Sequence, residues 1–278
     1  MKLVTFLYEG AERTGVLSAD EKTVYPLPYS DMNALIEAND LAAPAEEGIA
    51  LEQVRLLAPI PRPRQDVICL GINYRAHAEE AERYSGEFQK ERPIPIYFSK
   101  RCAEAVGPDG FIESHPGLVE RLDYEAELAV IIGKTAKNVP AEKAEEYIFG
   151  YTVLNDVSAR VLQTSHKQWY FGKGLDGFTP MGPCIVTADE IAFPPKLRIS
   201  ATVNGEVRQD STTDLLITGI PEIIAELSSG MTLLPGTVIA TGTPSGVGMG
   251  FDPPKFLKSG DEVVCAIEGI GALRNIVR

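Results

Sequence analysis

Two glutamates stand two residues apart inside the apolar run Arg121-Leu-Asp-Tyr-Glu125-Ala-Glu127-Leu-Ala-Val-Ile-Ile-Gly-Lys134. The run reads as a β-strand, whose successive side chains point to opposite faces, so Glu125 and Glu127 share one face while Ala126, Leu128 and Val130 take the other. Carboxylates side by side on a half-buried strand repel each other and lose hydration, and each needs a protonated partner, a basic group or a cation. A hard divalent cation suits them: Mg²⁺ takes oxygen ligands at about 2.0–2.1 Å in octahedral geometry and keeps positions open for water or substrate. Asp156 ends the next strand-like run, Tyr151-Thr-Val-Leu-Asn-Asp156, and is the candidate third ligand. The spacing equally allows a plainer arrangement, in which Glu125 and Glu127 line a solvated sheet face and Asp156 caps a helix beginning near Val157.

A second constellation is His77 and Glu80 in Asn73-Tyr-Arg-Ala-His77-Ala-Glu-Glu80, a stretch of helical composition. Residues three apart on a helix lie on one face, and a carboxylate accepting from one imidazole nitrogen raises the basicity of the other. Such a pair can take a proton from water or from a substrate carbon. With Glu79 and Glu82 beside it, the pair also fits a surface ion pair on an acidic helix. Lys173 lies between Gly172 and Gly174, which let the backbone approach a ligand, so its ammonium can offset a substrate carboxylate or enolate; a solvated loop lysine is the alternative. The turn Thr241-Gly-Thr243-Pro-Ser-Gly-Val-Gly248 offers exposed N–H groups and hydroxyls able to hold a carboxylate or phosphate. It lacks the Lys-Ser/Thr ending of a phosphate-binding loop and opens no helix, which excludes that kind of nucleotide site.

The elements that must position these groups follow from patterning. Strands are expected at Lys2–Tyr8, Thr14–Leu17 and Thr23–Leu27, then a helix from Asp31 to Ala38 with Asp31 as its N-cap and Leu35 and Ile36 buried. Pro59-Ile-Pro-Arg-Pro-Arg64 suits an extended connector and marks a boundary between a small β-rich domain, residues 1–58, and a larger one, residues 59–278. Strands at Asp66–Gly71 and Ile94–Lys100 flank a polar segment, Arg83 to Pro95, whose few apolar anchors suit a lid. Ser158 to Thr164 reads as a helix, placing Arg160 and Gln163 a turn or less past the carboxylate site. Asn204-Gly205 marks a structural hairpin between Lys196–Val203 and Glu206–Gln209. A helix follows Pro221 with Ile223, Ile224 and Leu227 on its buried stripe. Val263–Ile267 and Ala272–Val277 close the chain as a hairpin.

The 278 residues carry 44 % hydrophobic and 23 % charged side chains, ordinary for a soluble globular chain. A formal net charge of −13 opposes attachment to nucleic acid or anionic lipid, leaving small molecules or another protein as partners. No apolar run reaches membrane-spanning length and the N-terminus has no signal-peptide pattern, so a cytoplasmic location is expected. Cys69, Cys102, Cys184 and Cys265 are dispersed, without C-x-x-C spacing, and fit buried reduced thiols.

Taken in order, five stretches resemble the fumarylacetoacetate hydrolase family: Gly71-Ile-Asn-Tyr-Arg-Ala-His77-Ala-Glu-Glu80, Asp123-Tyr-Glu125-Ala-Glu127-Leu, Asn155-Asp156-Val-Ser-Ala-Arg160-Val-Leu-Gln163, Lys173-Gly-Leu-Asp-Gly-Phe, and Thr241-Gly-Thr243-Pro-Ser-Gly-Val-Gly248. They span about residues 66 to 278. One departure is Ser99-Lys-Arg101-Cys, where relatives more often carry a proline after the lysine. The resemblance implies a mainly β α+β fold, a mixed β-sandwich roll carrying a small β-rich N-terminal domain, in a homodimer. It makes Glu125, Glu127 and Asp156 the ligands of Mg²⁺ or Mn²⁺, and His77 with Glu80 the catalytic dyad on a lid. Lys173 would stabilise developing negative charge, Gln163 would contact substrate and Thr243 would bind a substrate carboxylate, with Arg160 a further substrate-binding candidate. The implied chemistry starts from a 2-oxo acid chelating the cation through its carboxylate and 2-oxo oxygen and proceeds through an enolate. C–C hydrolysis of an acylpyruvate and decarboxylation of oxaloacetate are the leading expectations. The alternatives are an isomerase of the 2-hydroxyhepta-2,4-diene-1,7-dioate type and a catalytically idle binder of 2-oxo acids.

Overall fold

The computed structural model describes residues 1–39, 42–85 and 94–278. The strand Ala126–Ile132 lies at its centre and is buried at every position. It pairs antiparallel with Ile148–Asn155 on one side and with Val238–Ala240 on the other. The expectation of a half-buried strand is therefore corrected: both faces are covered. Leu128 and Val130 enter a core shared with Ile199, Ala201 and Val203 and with Val263, Cys265 and Ile267 of a second, five-stranded sheet. Ala129 and Ile131 on the opposite face pack with Leu3, Met32, Leu35 and Ile36 from the N-terminal region. Burying two apolar faces of one strand at roughly 25 cal/mol per Å² is what makes this run so uniformly apolar apart from its acids.

The larger sheet has 11 strands and is mixed, with Val67–Leu70 parallel to Val238–Ala240 and antiparallel to the edge strand Tyr97–Lys100. Parallel pairing sends the chain from Leu70 and from Ala240 out of the same end of the sheet, which brings the segment before His77 to the turn after Thr241. The architecture is the mainly β, mixed sandwich of two sheets with few helices that the resemblance implied. Residues 1–58 do contain the expected strands, at Lys2–Tyr8, Ala11–Leu17 and Thr23–Pro26. They extend the large sheet, Lys2–Tyr8 pairing antiparallel with Met181–Thr187.

Helix Met32–Ala38 is capped by Asp31, whose Oδ1 accepts from Ala34 N at 2.8 Å, satisfying one of the free N–H groups of a helix start. Helix Ile220–Gly230 carries its proline in the first turn and buries Ile223, Ile224 and Leu227. Asn204 and Gly205 turn with φ of 50° and 78°, the geometry of a two-residue hairpin between Arg198–Val203 and Glu206–Thr212. Several bounds shift: the strand expected from Ile94 begins at Tyr97, and the helix expected from Ser158 runs Arg160–Ser165 after a short strand Ser158–Ala159. The lid expected over Arg83 to Pro95 falls mainly on residues 86–93, outside the described residues. All four cysteines are free and buried. No described helix is long and apolar enough to cross a membrane.

Candidate active site

Antiparallel register assembles the acids. Ala126 pairs with Asn155, so the start of one central strand meets the end of its neighbour, and Asp156 N donates to Glu125 O at 2.9 Å. Asn155 Oδ1 accepts from Glu125 N at 3.0 Å and fixes the junction. One carboxylate oxygen from each of Glu125, Glu127 and Asp156 lies within 4.8 Å of the others, and the three residues are 6 %, 1 % and 0 % exposed. The solvated-face alternative is thereby excluded. Asp156 caps no helix; the N-cap position of Arg160–Ser165 is Ala159.

Basic groups hold the acids from three sides. Lys173 ends the short helix Tyr170–Lys173 and is 1 % exposed, so the solvated loop lysine is excluded as well. Its Nζ donates to Glu125 Oε2 at 2.7 Å and to Asp156 Oδ2 at 2.6 Å. Arg160 donates from Nη1 to Glu125 Oε1 at 2.6 Å and to Gln163 Oε1 at 3.2 Å. Lys100 is fully buried, with Nζ 2.7 Å from Asp156 Oδ1 in an ion pair and donating to the carbonyls of Val157 and Lys173 at 3.0 and 2.5 Å. A flat sheet would hold its strand, four places from Ile148–Asn155, about 19 Å away; the curl of the sheet and the turn after Asn155 close that gap.

The electrostatics divide the trio. Burial works against ionised Glu125, but Lys173 and Arg160 outweigh it and hold its carboxyl well below the usual range. Glu127 is pushed well above that range by burial, then by Asp156 and Glu125. Burial disfavours the Lys173 ammonium, and Asp156 and Glu125 more than restore it. Glu127 Oε2 accepts from Gly242 N at 2.8 Å, while Glu127 Oε1 is a buried oxygen without a hydrogen bond or an ion pair; Asp156 Oδ1 has only its ion pair with Lys100.

The orphaned Glu127 Oε1 tests the fit of a divalent cation. Oxygen ligands on Mg²⁺ are about 2.9 Å apart when adjacent and about 4.2 Å when opposite, so three donors within 4.8 Å of one another would draw together on one ion. An all-oxygen, all-carboxylate donor set is what a hard cation requires. Both oxygens of Glu125 already accept from basic groups and would be shared with the ion. The residues present fit.

His77 lies on helix Arg75–Ser85, and its Nδ1 is 2.9 Å from Glu80 Oε2. Both residues are buried, 5 % and 4 % exposed, so this is no surface ion pair. Nδ1 being committed to Glu80, Nε2 is the nitrogen left for a ligand. His77, Glu125, Glu127, Arg160, Gln163, Lys173 and Thr243 all line one cavity of about 390 Å³, together with Phe98 and Trp169. That volume is at the lower end for small-molecule sites.

The glycine turn is corrected. Its N–H groups hold the protein's own carboxylates: Gly242 N donates to Glu127, Gly246 N to Glu80 Oε1 at 3.0 Å, and Gly248 N and Met249 N to Asp123 at 2.6 and 3.0 Å. An ideal Cβ on Gly248 would lie 2.5 Å from Asp123 Oδ1, so only glycine lets the loop come this near. Thr243 Oγ1 donates to Ala126 O at 2.9 Å and accepts from Gln209 Nε2 at 2.8 Å, leaving a lone pair rather than a proton toward the cavity.

Lys100, Asp123 and Gln209 escaped the sequence reading. Lys100 left one signal, a lysine closing an apolar strand. Asp123 opens the same run as the glutamates, and nothing in its spacing sets it apart from them. Gln209 belongs to the hairpin read as purely structural, yet it accepts from Ala126 N at 3.0 Å and supports Thr243 from behind.

Comparison with known proteins places this geometry among relatives. The family described as fumarylacetoacetate (FAA) hydrolase C-terminal matches residues 66–278. Oxaloacetate tautomerase YisK of Bacillus subtilis (strain 168) is 46 % identical over 226 residues, covering 81 % of this chain and 74 % of that protein. The solved fumarylacetoacetate hydrolase of Exiguobacterium antarcticum superposes with a TM-score of 0.88 at 41 % identity, over 100 % of this chain and 99 % of that one. The 2-hydroxyhepta-2,4-diene-1,7-dioate isomerase of Mycobacterium marinum gives 0.81 at 34 % identity, over 100 % and 98 %.

Proposed function

Since the chain belongs to the fumarylacetoacetate hydrolase family, we propose that it is a divalent-metal-dependent enzyme that moves a proton at the carbon next to the carbonyl of a small 2-oxo acid, as a keto–enol tautomerase or isomerase. The observation that carries this reading is the His77–Glu80 pair, 2.9 Å apart, with His77 on the wall of the cavity that Glu125, Glu127 and Lys173 also line. Glu80 fixes Nδ1 as the protonated nitrogen and offsets the charge that imidazole gains, so Nε2 takes the proton from substrate C3 and returns it to carbon or oxygen. Lys173 and Arg160 supply fixed positive charge where an enolate oxygen develops. Gln163 donates through its amide nitrogen, and Thr243 shapes the wall opposite.

A divalent ion held by Glu125, Glu127 and Asp156 would supply Lewis-acid polarisation of the 2-oxo group. Charge balance supports an anionic substrate. Asp123, Glu125, Glu127 and Asp156 face Lys100, Lys173 and Arg160, and adding a doubly charged cation leaves the ionised cluster one charge positive. Mg²⁺ or Mn²⁺ is the proposed ion, and a second copy of the chain the proposed partner in a homodimer.

The sequence put C–C cleavage first. The relatives' names favour proton transfer, because two of them are a tautomerase and an isomerase. Hydrolysis of an acylpyruvate is the second reading, and the same dyad supports it, since Nε2 can equally take a proton from water. The test follows the enol absorbance of oxaloacetate with Mg²⁺, alongside release of pyruvate and CO₂ and cleavage of acylpyruvates, in wild type, His77→Ala and Glu127→Ala. Enol–keto exchange without pyruvate, lost in both variants and with EDTA, is expected. Acylpyruvate cleavage at comparable rates would give the second reading, and exchange that survives chelation would remove both.

A further inference from the structure

Asp123 is fully buried and does not line the cavity, yet its carboxylate is saturated with donors. Oδ1 accepts from Tyr124 N at 3.0 Å and Gly248 N at 2.6 Å; Oδ2 accepts from Met249 N at 3.0 Å and Arg160 Nε at 2.9 Å. With its lone pairs used, Asp123 is neither a base nor a metal ligand. What it controls is the plane of a guanidinium. Arg160 is gripped at Nε by Asp123 and at Nη1 by Glu125 and Gln163, and two anchor points on a rigid planar group fix the third nitrogen. That third nitrogen, Nη2, is buried without a hydrogen-bond partner, on a side chain that lines the cavity. A charged donor without an acceptor is costly in a folded interior unless a ligand supplies one.

We propose that Asp123 is a positioning residue that, through Arg160, aims Nη2 at an anionic oxygen of the substrate and so sets substrate affinity. The inference rests on the reading of this cavity as a site for 2-oxo acids. The same carboxylate ties the Gly248–Met249 loop to Arg160, so the loop and the anion contact move as one unit.

The test uses Mn²⁺ and oxalate as probes in the full chain. Asp123→Asn keeps the volume but turns an amide N–H₂ toward either Arg160 or the loop N–H groups. Oxalate binding to the Mn²⁺-loaded protein is expected to weaken about 10- to 100-fold, while Mn²⁺ affinity shifts by less than about threefold. A merely structural role would lower both together. In an Arg160→Met background the same substitution should add less than about a twofold loss, because the route through Arg160 is already gone. Gly248→Ala approaches from the loop side, its Cβ meeting Asp123 Oδ1 and the Lys255 carbonyl oxygen at 2.5 Å each, and should weaken oxalate in the same way even if an Asp123 or Arg160 variant fails to fold. Oxalate binding unchanged in Asp123→Asn and Gly248→Ala, or a full additional loss in the Arg160→Met background, overturns the inference alone. Absence of oxalate binding by Mn²⁺-loaded wild type overturns the reading of the site, and this inference with it.

Discussion

Gly250 and Glu80 occupy each other's space: an ideal Cβ on Gly250 would lie 1.7 Å from Glu80 Oε1 and 2.1 Å from its Cδ. The carboxylate that orients His77 thus sits where any other residue at position 250 would put its side chain. Gly246 N completes the seat by donating to the same Oε1.

Gly250→Ala is accordingly expected to displace Glu80 and disable the dyad from a position that contributes no side chain to the chemistry. Turnover should fall about 100-fold or more, the usual contribution of general acid–base catalysis. Mn²⁺ binding, measured by calorimetry, should be preserved. A fully active variant would show that Glu80 need not stay where the structure puts it.

Glu80→Gln separates charge from shape. The single amide oxygen can accept from Gly246 N or from His77 Nδ1 but not from both, and an uncharged partner stabilises imidazolium less. We expect kcat to fall about tenfold, less than for His77→Ala, which removes the proton carrier itself. Steady-state kinetics on the two variants give the order, and the reverse order would relocate the base.

Glu127→Gln should distinguish the metal-free from the loaded protein. Burial and its acidic neighbours already hold Glu127 toward its neutral form without metal, so the near-isosteric amide costs little stability in EDTA. With Mg²⁺ the wild type gains stability by mass action, about 2.7 kcal/mol at a hundredfold excess over Kd, and the variant gains little. Thermal melting with and without Mg²⁺ reads the difference; equal shifts in both proteins would remove Glu127 from the ligand set.

Lys100→Met leaves Asp156 Oδ1 and the carbonyls of Val157 and Lys173 without the ammonium they share. Removing one partner of a buried ion pair costs about 3–5 kcal/mol, so a large fall in urea midpoint is expected. An unchanged midpoint would mean that the charge of Asp156 is balanced by Lys173 alone.

What the chain disclosed by itself was local. The Glu125–Glu127 spacing, the three-residue step from His77 to Glu80, the Asp31 cap and the Asn204-Gly205 turn each depend on neighbours within one element, where backbone geometry dictates which side chains share a face. Even the meeting of Asp156 with the glutamates follows from two consecutive antiparallel strands. Partnerships across long stretches of chain were decided only by the tertiary structure. Gly242 reaches Glu127 over 115 residues, Gly248 reaches Asp123 over 125, and Gly246 reaches Glu80 over 166. The glycine-rich turn therefore looked like a socket for an outside anion, because a sequence shows free N–H groups without showing which carboxylate fills them. Burial was hidden for the same reason: the run at Glu125 reads identically with one face covered or two, and only the packing of the N-terminal helix and the second sheet turned an ordinary pair of acids into a desolvated cluster that needs cations around it.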